Sequence, residues 1–395
     1  MSEPWREMTL GAVVKETGGS IKTGPFGTAL KAAEYTEHGA PVISTGEVGY
    51  GRLRLHDRTP RLGGSALERL HDYVLEKGDI VFSRKGAIDR SAWVGESEAG
   101  FFLGSDALRV RFDTSRHDSR FIAYGVLNPV ARAWVRQHAS GTTMPSLNQE
   151  ILSRIPLLIP PLQEQRRIAG VLGTFDDLID TNERLVSSLR EQVTTLFQRM
   201  MRTEPLESRP FFSVYEVDFG APFSGDHFTT SGNGMPLLRI RDLKTMTSDV
   251  WTAERLPGDV VIVPGDIVLG MDAEFRATLW LGEPSLLNQR VCRVRSQVGG
   301  PAWVRESLLG PLAFIEGHKT GTTVAHLNKR DLTETRIPVP PEEAVRRFST
   351  VADPMFAAIV ELARESRSLS RVRDELLPLL MSGRIAVDEA WEAVS

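Results

Sequence analysis

The sequence predicts an α+β fold in which two β-rich globular domains, in a pseudo-two-fold arrangement, are separated by two long antiparallel coiled-coil helices. Three observations predict it: the chain repeats its own motifs in the same order, each copy changes from short β-branched runs to a heptad pattern, and a Pro-Pro pair marks each change. The expected boundaries are 1–157 for the first domain, 158–203 for the first long helix, 204–337 for the second domain, and 338–395 for the second helix and a C-terminal tail.

The internal repeat covers about half of the chain. The repeated motifs are Gly78–Phe82 and Gly265–Leu269, Trp93–Glu96 and Trp280–Glu283, Gly141–Thr143 and Gly321–Thr323, and the Pro-Pro pairs at 160–161 and 340–341. Chance similarity between two turn-rich segments is the alternative, but the matched order argues against it. We therefore expect two domains built on one plan.

The globular part of each copy contains short β-branched runs bounded by glycine or proline. Asp79–Ser83 and Asp259–Val263 are predicted to be strands. Short helices are expected around 119–138 and 301–317. Cys292, the one cysteine, lies in an alternating apolar run, so we expect a buried structural thiol.

The segment after each Pro-Pro pair follows a heptad pattern with apolar residues alternating by four and three positions. The seam positions assigned to coiled-coil and partner contacts are Ile168, Leu172, Phe175, Ile179, Asn182, Leu189, Leu196, Met355, Ile359, Leu362, Leu369 and Leu376. Asn182 is expected to fix the register, and Pro354 and Pro378 are expected to kink or shorten the second helix. A helical-bundle core with no role in spacing is the alternative interpretation.

Composition sets broad limits. Hydrophobic content of 41% and charged content of 25% over 395 residues are typical of a globular protein of two or three domains. The start of the sequence has no signal-peptide pattern, and no apolar run is long enough for a membrane span, so we expect a cytoplasmic protein without membrane contact. A net charge of -4 predicts weak DNA affinity for the isolated chain, although local basic patches decide phosphate binding.

The segment Ile155–Ala169, with its Pro-Pro-Leu-Gln-Glu-Gln helix start, resembles the entry to the central helix of type I restriction–modification specificity subunits. Gly24-Pro25-Phe26-Gly27, Gly78–Val81 and the Gly-Thr-Thr turns are typical of the target-recognition domains of that family. The resemblance covers nearly the whole chain. The second helix start, Pro341–Arg347, departs from the pattern because it lacks the Glu-Gln pair.

The resemblance implies a non-catalytic subunit that confers DNA sequence specificity. Two target-recognition domains would each read one part of an asymmetric, bipartite site in double-stranded DNA. The chain would assemble with two methyltransferase subunits and with nuclease–translocase subunits. S-adenosylmethionine, ATP and Mg²⁺ would belong to those partners, with no cofactor or metal in this chain. At about 1.5 Å per residue, helices of roughly 35–40 residues span about 50–60 Å and could set the distance between half-sites.

Basic residues and hydroxyls in or beside glycine-rich turns are the candidates for DNA binding, because phosphates and base edges are bound by such groups. They are Lys22, Thr23, Lys31, Arg84, Lys85, Arg90, Thr142, Thr143, Arg239, Arg241, Lys244, Arg276, Arg290, Thr322 and Thr323. Solvated surface charge, or helix capping for the threonines, is the alternative. Arg109 and Arg111 are either further contacts or exposed strand positions.

Other functions are less well supported by the sequence. No phosphate-binding Gly-x-x-x-x-Gly-Lys-Ser/Thr loop is present, and Asn128–Ala131 lacks the aromatic residue of an amino-methyltransferase motif. Asp242-Leu243-Lys244 imitates part of a nuclease motif without the preceding Pro-Asp. The remaining alternatives are a specificity-like subunit of another phage-defence methylation system and a coiled-coil protein scaffold.

Overall fold

The structure, a computed structural model, describes residues 4–26, 29–141, 144–272, 274–318 and 326–392. For 390–392 it describes the backbone alone. The chain forms two compact units. Unit 1 comprises Met1–Asp177 and Leu369–Ser395, and unit 2 comprises Leu178–Ser368. Each unit therefore contains a globular part and a segment of each of two long helices.

Unit 1 contains two four-stranded sheets and one strand pair. Its strands are β1 (Arg6–Thr9), β2 (Ser20–Thr23), β3 (Tyr35–Thr36), β4 (Ala40–Ile43), β5 (Arg61–Leu62), β6 (Ile80–Ser83), β7 (Ser91–Trp93), β8 (Phe102–Leu103), β9 (Ala107–Arg111) and β10 (Pro156–Ile159). The sheet orders are β2-β9-β6-β7 and β3-β5-β4-β8, and β1 pairs with β10. The predicted strand after Gly78 is confirmed as β6.

Four of the short helices of unit 1 begin at side-chain caps, which are Thr9, Asp118, Asn128 and Asn148. The short helices are α1 (Leu10–Glu16), α2 (Gly64–Arg69), α3 (Ser119–Leu127), α4 (Pro129–His138) and α5 (Gln149–Ser153), with α10 (Val387–Glu392) near the C-terminus. The helical segment expected around 119–138 is confirmed as two helices, because Asn128 caps α4 by accepting the N–H of Val130 at 3.2 Å. Pro129 then occupies the first helical position, where its missing N–H costs nothing.

Unit 2 repeats this plan. Its strands are β11 (Glu207–Pro210), β12 (Tyr215–Phe219), β13 (Phe228–Thr229), β14 (Met235–Leu238), β15 (Trp251–Thr252), β16 (Val261–Ile262), β17 (Ile267–Gly270), β18 (Ala277–Leu279), β19 (Ser285–Leu287), β20 (Val291–Ser296) and β21 (Arg336–Val339). The orders β12-β20-β17-β18 and β13-β15-β14-β19-β16, with the pair β11-β21, match unit 1 except for the added β16. The strand expected over 259–263 is the shorter β16.

The register of β6 with β9 is repeated by β17 with β20, whereas β17 with β18 is shifted by one residue, since Leu279 and not the motif residue Trp280 lies opposite Ile267. Ile80 lies opposite Val110 and Trp93, and Ile267 lies opposite Val294 and Leu279. The helices of unit 2 are α7 (Pro301–His318), which confirms the helix expected over 301–317, and α8 (Lys329–Glu334). The duplicated motifs thus correspond to duplicated structure.

Two long helices complete the α+β fold predicted from the sequence. They are α6 (Leu162–Thr203) and α9 (Glu342–Met381), and each begins just after its Pro-Pro pair. The expectation that Pro354 would shorten the second helix is wrong, since α9 continues through both prolines and ends three residues after Pro378. Ala352 and Phe356, on either side of Pro354, are buried in the core of unit 2, and that burial offsets the lost backbone hydrogen bond.

The heptad seam is buried within each unit. In unit 1, Ile168, Leu172 and Phe175 of α6 share a core with Leu376 and Leu380 of α9. The partly buried Leu369 packs against that core.

In unit 2, Val193 and Met200 of α6 share a core with Ile359 of α9 and with Ala352. Leu189, Leu196 and Met355 pack on it while partly buried, Ile179 is buried, and Leu362 is half-buried.

Polar seam positions form specific pairs. Asn182 is 6% exposed and donates from Nδ2 to Oε2 of Glu365 at 3.0 Å. Further along α6, the Phe197 ring lies 5.9 Å from the Phe348 ring, measured between centroids. Because the partner on α9 moves from 365 to 348 as α6 advances from 182 to 197, the two segments run antiparallel within unit 2. In unit 1, Arg373 pairs with Asp176 at 2.5 Å.

Among the described residues, no helix has the length and apolar content needed to cross a membrane.

Gln165, the glutamine of the Glu-Gln pair, joins the start of α6 to the N-terminus of α3. Its amide oxygen accepts the N–H of Asp118 at 3.0 Å, and its amide nitrogen donates to the Pro160 carbonyl at 2.8 Å. The same nitrogen lies 3.4 Å from Nδ1 of the buried His117, whose Nε2 lies 2.9 Å from Oε2 of Glu16. The hydrogen bond with His117 holds the pKa of the Glu16 carboxyl below its usual value.

Unit 2 makes the equivalent connection without a glutamine. The position that repeats Gln165 is Val345, which is fully buried in the apolar core. The backbone N–H groups of Gly300 and Ala302 instead donate to Ser349 Oγ at 3.2 Å and Asp353 Oδ1 at 3.0 Å on α9. The hydrogen bonds from Gly300 and Ala302 to α9 therefore take the place of those that Gln165 makes in unit 1.

Replacing Gln165 with leucine is expected to destabilise the full chain by about 1–3 kcal/mol, because the Asp118 N–H would be buried without an acceptor. Chemical denaturation of the Gln165→Leu variant measures this loss. Gln163→Leu, two positions earlier at an exposed site, is the matched control. Equal unfolding midpoints for the two variants would contradict the assignment.

Candidate nucleic-acid interface

A loop held by the same backbone hydrogen bonds occurs in both units. In unit 1 the loop 84–90 after β6 pairs with 144–149, where the Leu147 N–H donates to the Arg84 carbonyl at 2.8 Å. In unit 2 the loop 271–276 after β17 pairs with 326–328, where the Leu327 N–H donates to the Met271 carbonyl at 2.7 Å. We call these the first and second paired loops, omitting Ala273, which is not described.

Close approach of the backbone supports each paired loop. A Cβ atom at Gly24 would lie 1.9 Å from the carbonyl oxygen of Gly104, and one at Gly220 would lie 2.1 Å from that of Asn288. Glycine is needed here because any side chain would overlap these backbone atoms. Beside Gly24, the Phe26 ring is 53% exposed.

The structure brings four of the candidate residues of unit 1 to the first paired loop. Arg84 donates from Nη1 to the Ser105 carbonyl at 3.3 Å and covers the Phe26 ring at 4.5 Å. Lys85 is exposed and pairs with Asp106 at 3.0 Å. The other two are Thr23, whose Oγ1 accepts from Gln149 at 3.3 Å, and Arg90.

Other basic residues of unit 1 are engaged elsewhere. Lys22 pairs with Asp72 at 3.1 Å and covers the Tyr73 ring at 4.3 Å. Lys31 is exposed and begins a short 3₁₀ turn at Ala32–Glu34. Neither is placed with the first paired loop by the contacts described.

The expectation of an exposed strand position is wrong for Arg109, and Arg111 is only partly exposed. Arg109 is 4% exposed and donates to the Asp72 carbonyl at 3.0 Å. Arg111 is paired with Asp79 at 2.7 Å and also with Glu76. Sequence alternation could not reveal these carboxylates because they come from the distant segment before β6.

Beside the second paired loop lie four exposed candidates of unit 2, which are Arg241, Lys244, Arg276 and Arg290. Their ion-pair partners are Glu274, at 3.4 Å from Lys244 and 3.6 Å from Arg276, and Asp272, at 3.6 Å from Arg290. Arg241 lines a cleft with Lys244 and Arg276. The four cations outnumber the two carboxylates, so this surface attracts anions.

Arg239 does not belong to this surface. Its guanidinium forms two hydrogen bonds of 3.1 Å with the buried Asp242, which caps the following turn. The remaining candidates, Thr142, Thr143, Thr322 and Thr323, lie outside the described residues.

Sequence inspection missed a second basic group in unit 1, which we call the Arg–Tyr cluster. It consists of Tyr50, Asp89, Arg90, Arg132 and Arg136. Asp89 accepts hydrogen bonds from Arg136 at 2.7 Å, Arg132 at 2.9 Å and the Tyr50 hydroxyl at 3.2 Å. Arg132 and Arg90 lie over the Tyr50 ring at 4.2 and 5.7 Å. The spacing of Arg132 and Arg136 by one helical turn on α4 was the available signal.

Burial of the Asp89 carboxyl favours a raised pKa, but the hydrogen bonds from Arg132, Arg136 and Tyr50 outweigh it and hold the pKa below its usual value. The carboxylate is therefore ionised at neutral pH and fixes two guanidinium groups of α4.

The cysteine thiol, which could act as a nucleophile or metal ligand, has a structural role in unit 2. Cys292 is fully buried, its thiol pKa is raised to about 12 by burial, and its Sγ lies 3.8 Å from the Leu269 carbonyl oxygen. The expected structural thiol is confirmed. Within the described ranges, His, Cys, Asp and Glu side chains form no group of three or more that could hold a metal ion.

A family model described as the type I restriction modification DNA specificity domain matches residues 3–191. Residues 3–191, a little under half of the chain, therefore carry a type I restriction–modification DNA specificity domain. The EcoBI specificity subunit of Escherichia coli is 30% identical over 183 residues, covering 45% of this chain and 39% of that subunit. The MjaIX specificity subunit of Methanocaldococcus jannaschii is 24% identical over 303 residues, covering 69% of this chain and 70% of that subunit.

The fold agrees with that of a solved member of the specificity family. The crystal structure of the type I restriction–modification S subunit from M. genitalium matches with a TM-score of 0.59 and 15% identity, covering 95% of this chain and 96% of that one. This similarity supports the duplicated α+β architecture found here.

Replacing Gly24 with alanine is expected to destabilise the chain by about 1–3 kcal/mol, because the new Cβ would overlap the Gly104 carbonyl. Equilibrium denaturation of Gly24→Ala measures the change. The control is Gly46→Ala, since no atom lies within 4 Å of a Cβ at Gly46. Wild-type stability in Gly24→Ala would show that the motif glycine is not required.

Proposed function

We propose that this chain is the non-catalytic DNA-sequence-specificity subunit of a type I restriction–modification complex, recognising an asymmetric, bipartite site in double-stranded DNA. The observation that carries the proposal is the occurrence of one paired loop in each unit, on the same backbone hydrogen bonds but with different side chains. Such a duplication provides two separate reading surfaces on a common framework.

The side chains of the two paired loops favour different base sequences. The first presents Arg84 and Lys85 beside the exposed Phe26, groups that donate hydrogen bonds or stack. The second presents Asp272 and Glu274 among its cations, and carboxylates accept hydrogen bonds from cytosine amino groups. Unequal half-sites follow from this difference.

The chemistry of modification and cleavage belongs to partners in this proposal. Two methyltransferase subunits would supply S-adenosylmethionine binding, and nuclease–translocase subunits would supply ATP and Mg²⁺ binding. The long helices would provide the docking surfaces, in a cytoplasmic complex. Turnover by the purified chain alone would contradict the proposal.

The two long helices would also set the spacer between the half-sites, because each contributes a segment to both units. Inserting matched turns into α6 and α9 is expected to lengthen the spacer of the methylated site, at about 5.4 Å of helix per turn. Sequencing the methylated positions in cells that carry the variant and its methyltransferase measures the spacer. An unchanged spacer would refute this role.

Substitutions in one paired loop are expected to alter one half-site only. Arg84→Ala and Arg276→Ala should each change base preference in a different half-site, by about 1–3 kcal/mol if the lost group contacts a base edge. Methylation mapping reports both half-sites in one experiment. A change in both half-sites from one substitution, or in neither, would count against two independent reading surfaces.

A further inference from the structure

The Arg–Tyr cluster of unit 1 carries more positive charge than its internal contacts neutralise. Three guanidinium groups, those of Arg90, Arg132 and Arg136, surround one carboxylate, that of Asp89. The Tyr50 ring is 45% exposed, so the cluster lies at the surface. A formal excess of two positive charges remains for an external anion.

The equivalent contact in unit 2 shows that the framework does not require these arginines. There the helix α7 contacts the second paired loop through Glu316, whose Oε2 accepts the Phe275 N–H at 3.2 Å. By the repeat offset of 180, Glu316 stands where unit 1 has Arg136. By the strand register, in which Ala277 takes the place of Ser91, Phe275 stands where unit 1 has Asp89. The Asp89–Arg136 ion pair is thus replaced by a hydrogen bond from a backbone N–H to Glu316, while the loop and helix remain in contact.

Unit 2 carries its surplus cations on a different element. Arg241 and Lys244 follow β14, in a turn where the Arg239 N–H donates to the Asp242 side chain. The same capping bond, from Ser44 to Glu47, identifies the matching turn of unit 1, where the corresponding positions are Gly46 and Gly49. Each unit therefore has basic residues next to its paired loop, but they come from α4 in unit 1 and from the turn after β14 in unit 2.

The arginines of unit 1 are held in place for ligand binding. Asp89 fixes Arg132 and Arg136 by direct hydrogen bonds, while the Arg136 side chain stays 53% exposed. The Nε of Arg90 is buried without a hydrogen-bond partner. Guanidinium groups offer several N–H donors in a fixed plane, an arrangement suited to phosphate oxygens.

We propose that Arg90, Arg132 and Arg136 bind a backbone phosphate of DNA beside the first paired loop, an assignment that rests on the DNA-binding function proposed above. Arg90 belongs to both the loop and the cluster, so the phosphate lies next to the bases that the loop reads. The cluster contributes affinity and positions the DNA, and it leaves the choice of bases to the loop.

The test uses the chain assembled with its methyltransferase subunits and measures DNA affinity against salt concentration. Arg136→Gln is expected to reduce the slope of log K against log salt by about 0.9, the value for one lost phosphate contact. Over a fourfold rise in salt, the variant complex should then lose about 3–4-fold less affinity than the wild-type complex. Specific and random DNA should be affected alike.

The matched control is Lys77→Gln. Lys77 is also an exposed cation paired with one carboxylate, Glu96 at 2.7 Å, and it lies before β6, at the opposite end of that strand from the loop. Its slope should equal that of the wild type. Arg136→Lys should restore most of the slope, since a point charge at the same position still binds phosphate.

The possible outcomes separate the two proposals. A wild-type slope in Arg136→Gln, or a changed base preference with no change in slope, would overturn the phosphate site. A wild-type complex that binds all DNA sequences equally would overturn the proposed recognition function, while a reduced slope in the variant would still support the phosphate site. Equal unfolding midpoints for Arg136→Gln and Lys77→Gln ensure that both comparisons use folded protein.

Discussion

Burial of the C-terminal part of α9 in unit 1 is the interaction on which the rest of the structure depends. Leu376, Leu377, Leu380 and Met381, together with Val387 of α10, complete a core whose other buried members come from the first half of the chain. Unit 2, in turn, contains the second part of α6, including Val193 and Met200. Unit 1 is built from two separate stretches of sequence, and each unit closes its core with a helix segment from the other half of the repeat.

Duplication explains why the sequence predicted the architecture well. Repeated motifs such as Gly78–Phe82 and Gly265–Leu269 fall on equivalent strands with the same register. The heptad pattern found the buried faces of α6 and α9, since periodicity depends on local spacing alone. The expectation that proline shortens a helix failed at Pro354, where burial of neighbouring residues outweighs the local cost of proline.

The candidate interface was only partly predictable, because ion pairing depends on residues far apart in the chain. Lys22 meets Asp72 and Arg109 meets the backbone of the same residue, and no spacing rule connects such positions. Arg84 and Lys85 were found because they directly follow a strand. Arg132 and Arg136 were missed because their common partner, Asp89, lies in a different element.

The same comparison separates framework from ligand binding. Gln165 looks like a family signature, yet its polar groups are consumed in joining α6 to α3, and Val345 fills its place in unit 2. A motif can therefore be characteristic of a family for reasons of packing. Residues that differ between two copies of one framework, as Arg136 and Glu316 do, are better guides to what each copy binds.

The interleaving of the two units has a consequence for biosynthesis. Residues 369–381 are synthesised after all of unit 2, so unit 1 cannot complete its core until that whole unit has been made. Its exposed apolar surface must wait for a partner segment almost 200 residues downstream of Phe175. Nascent chains of this protein should accordingly depend on chaperones until residues 369–381 have emerged, in spite of the small size of each globular part.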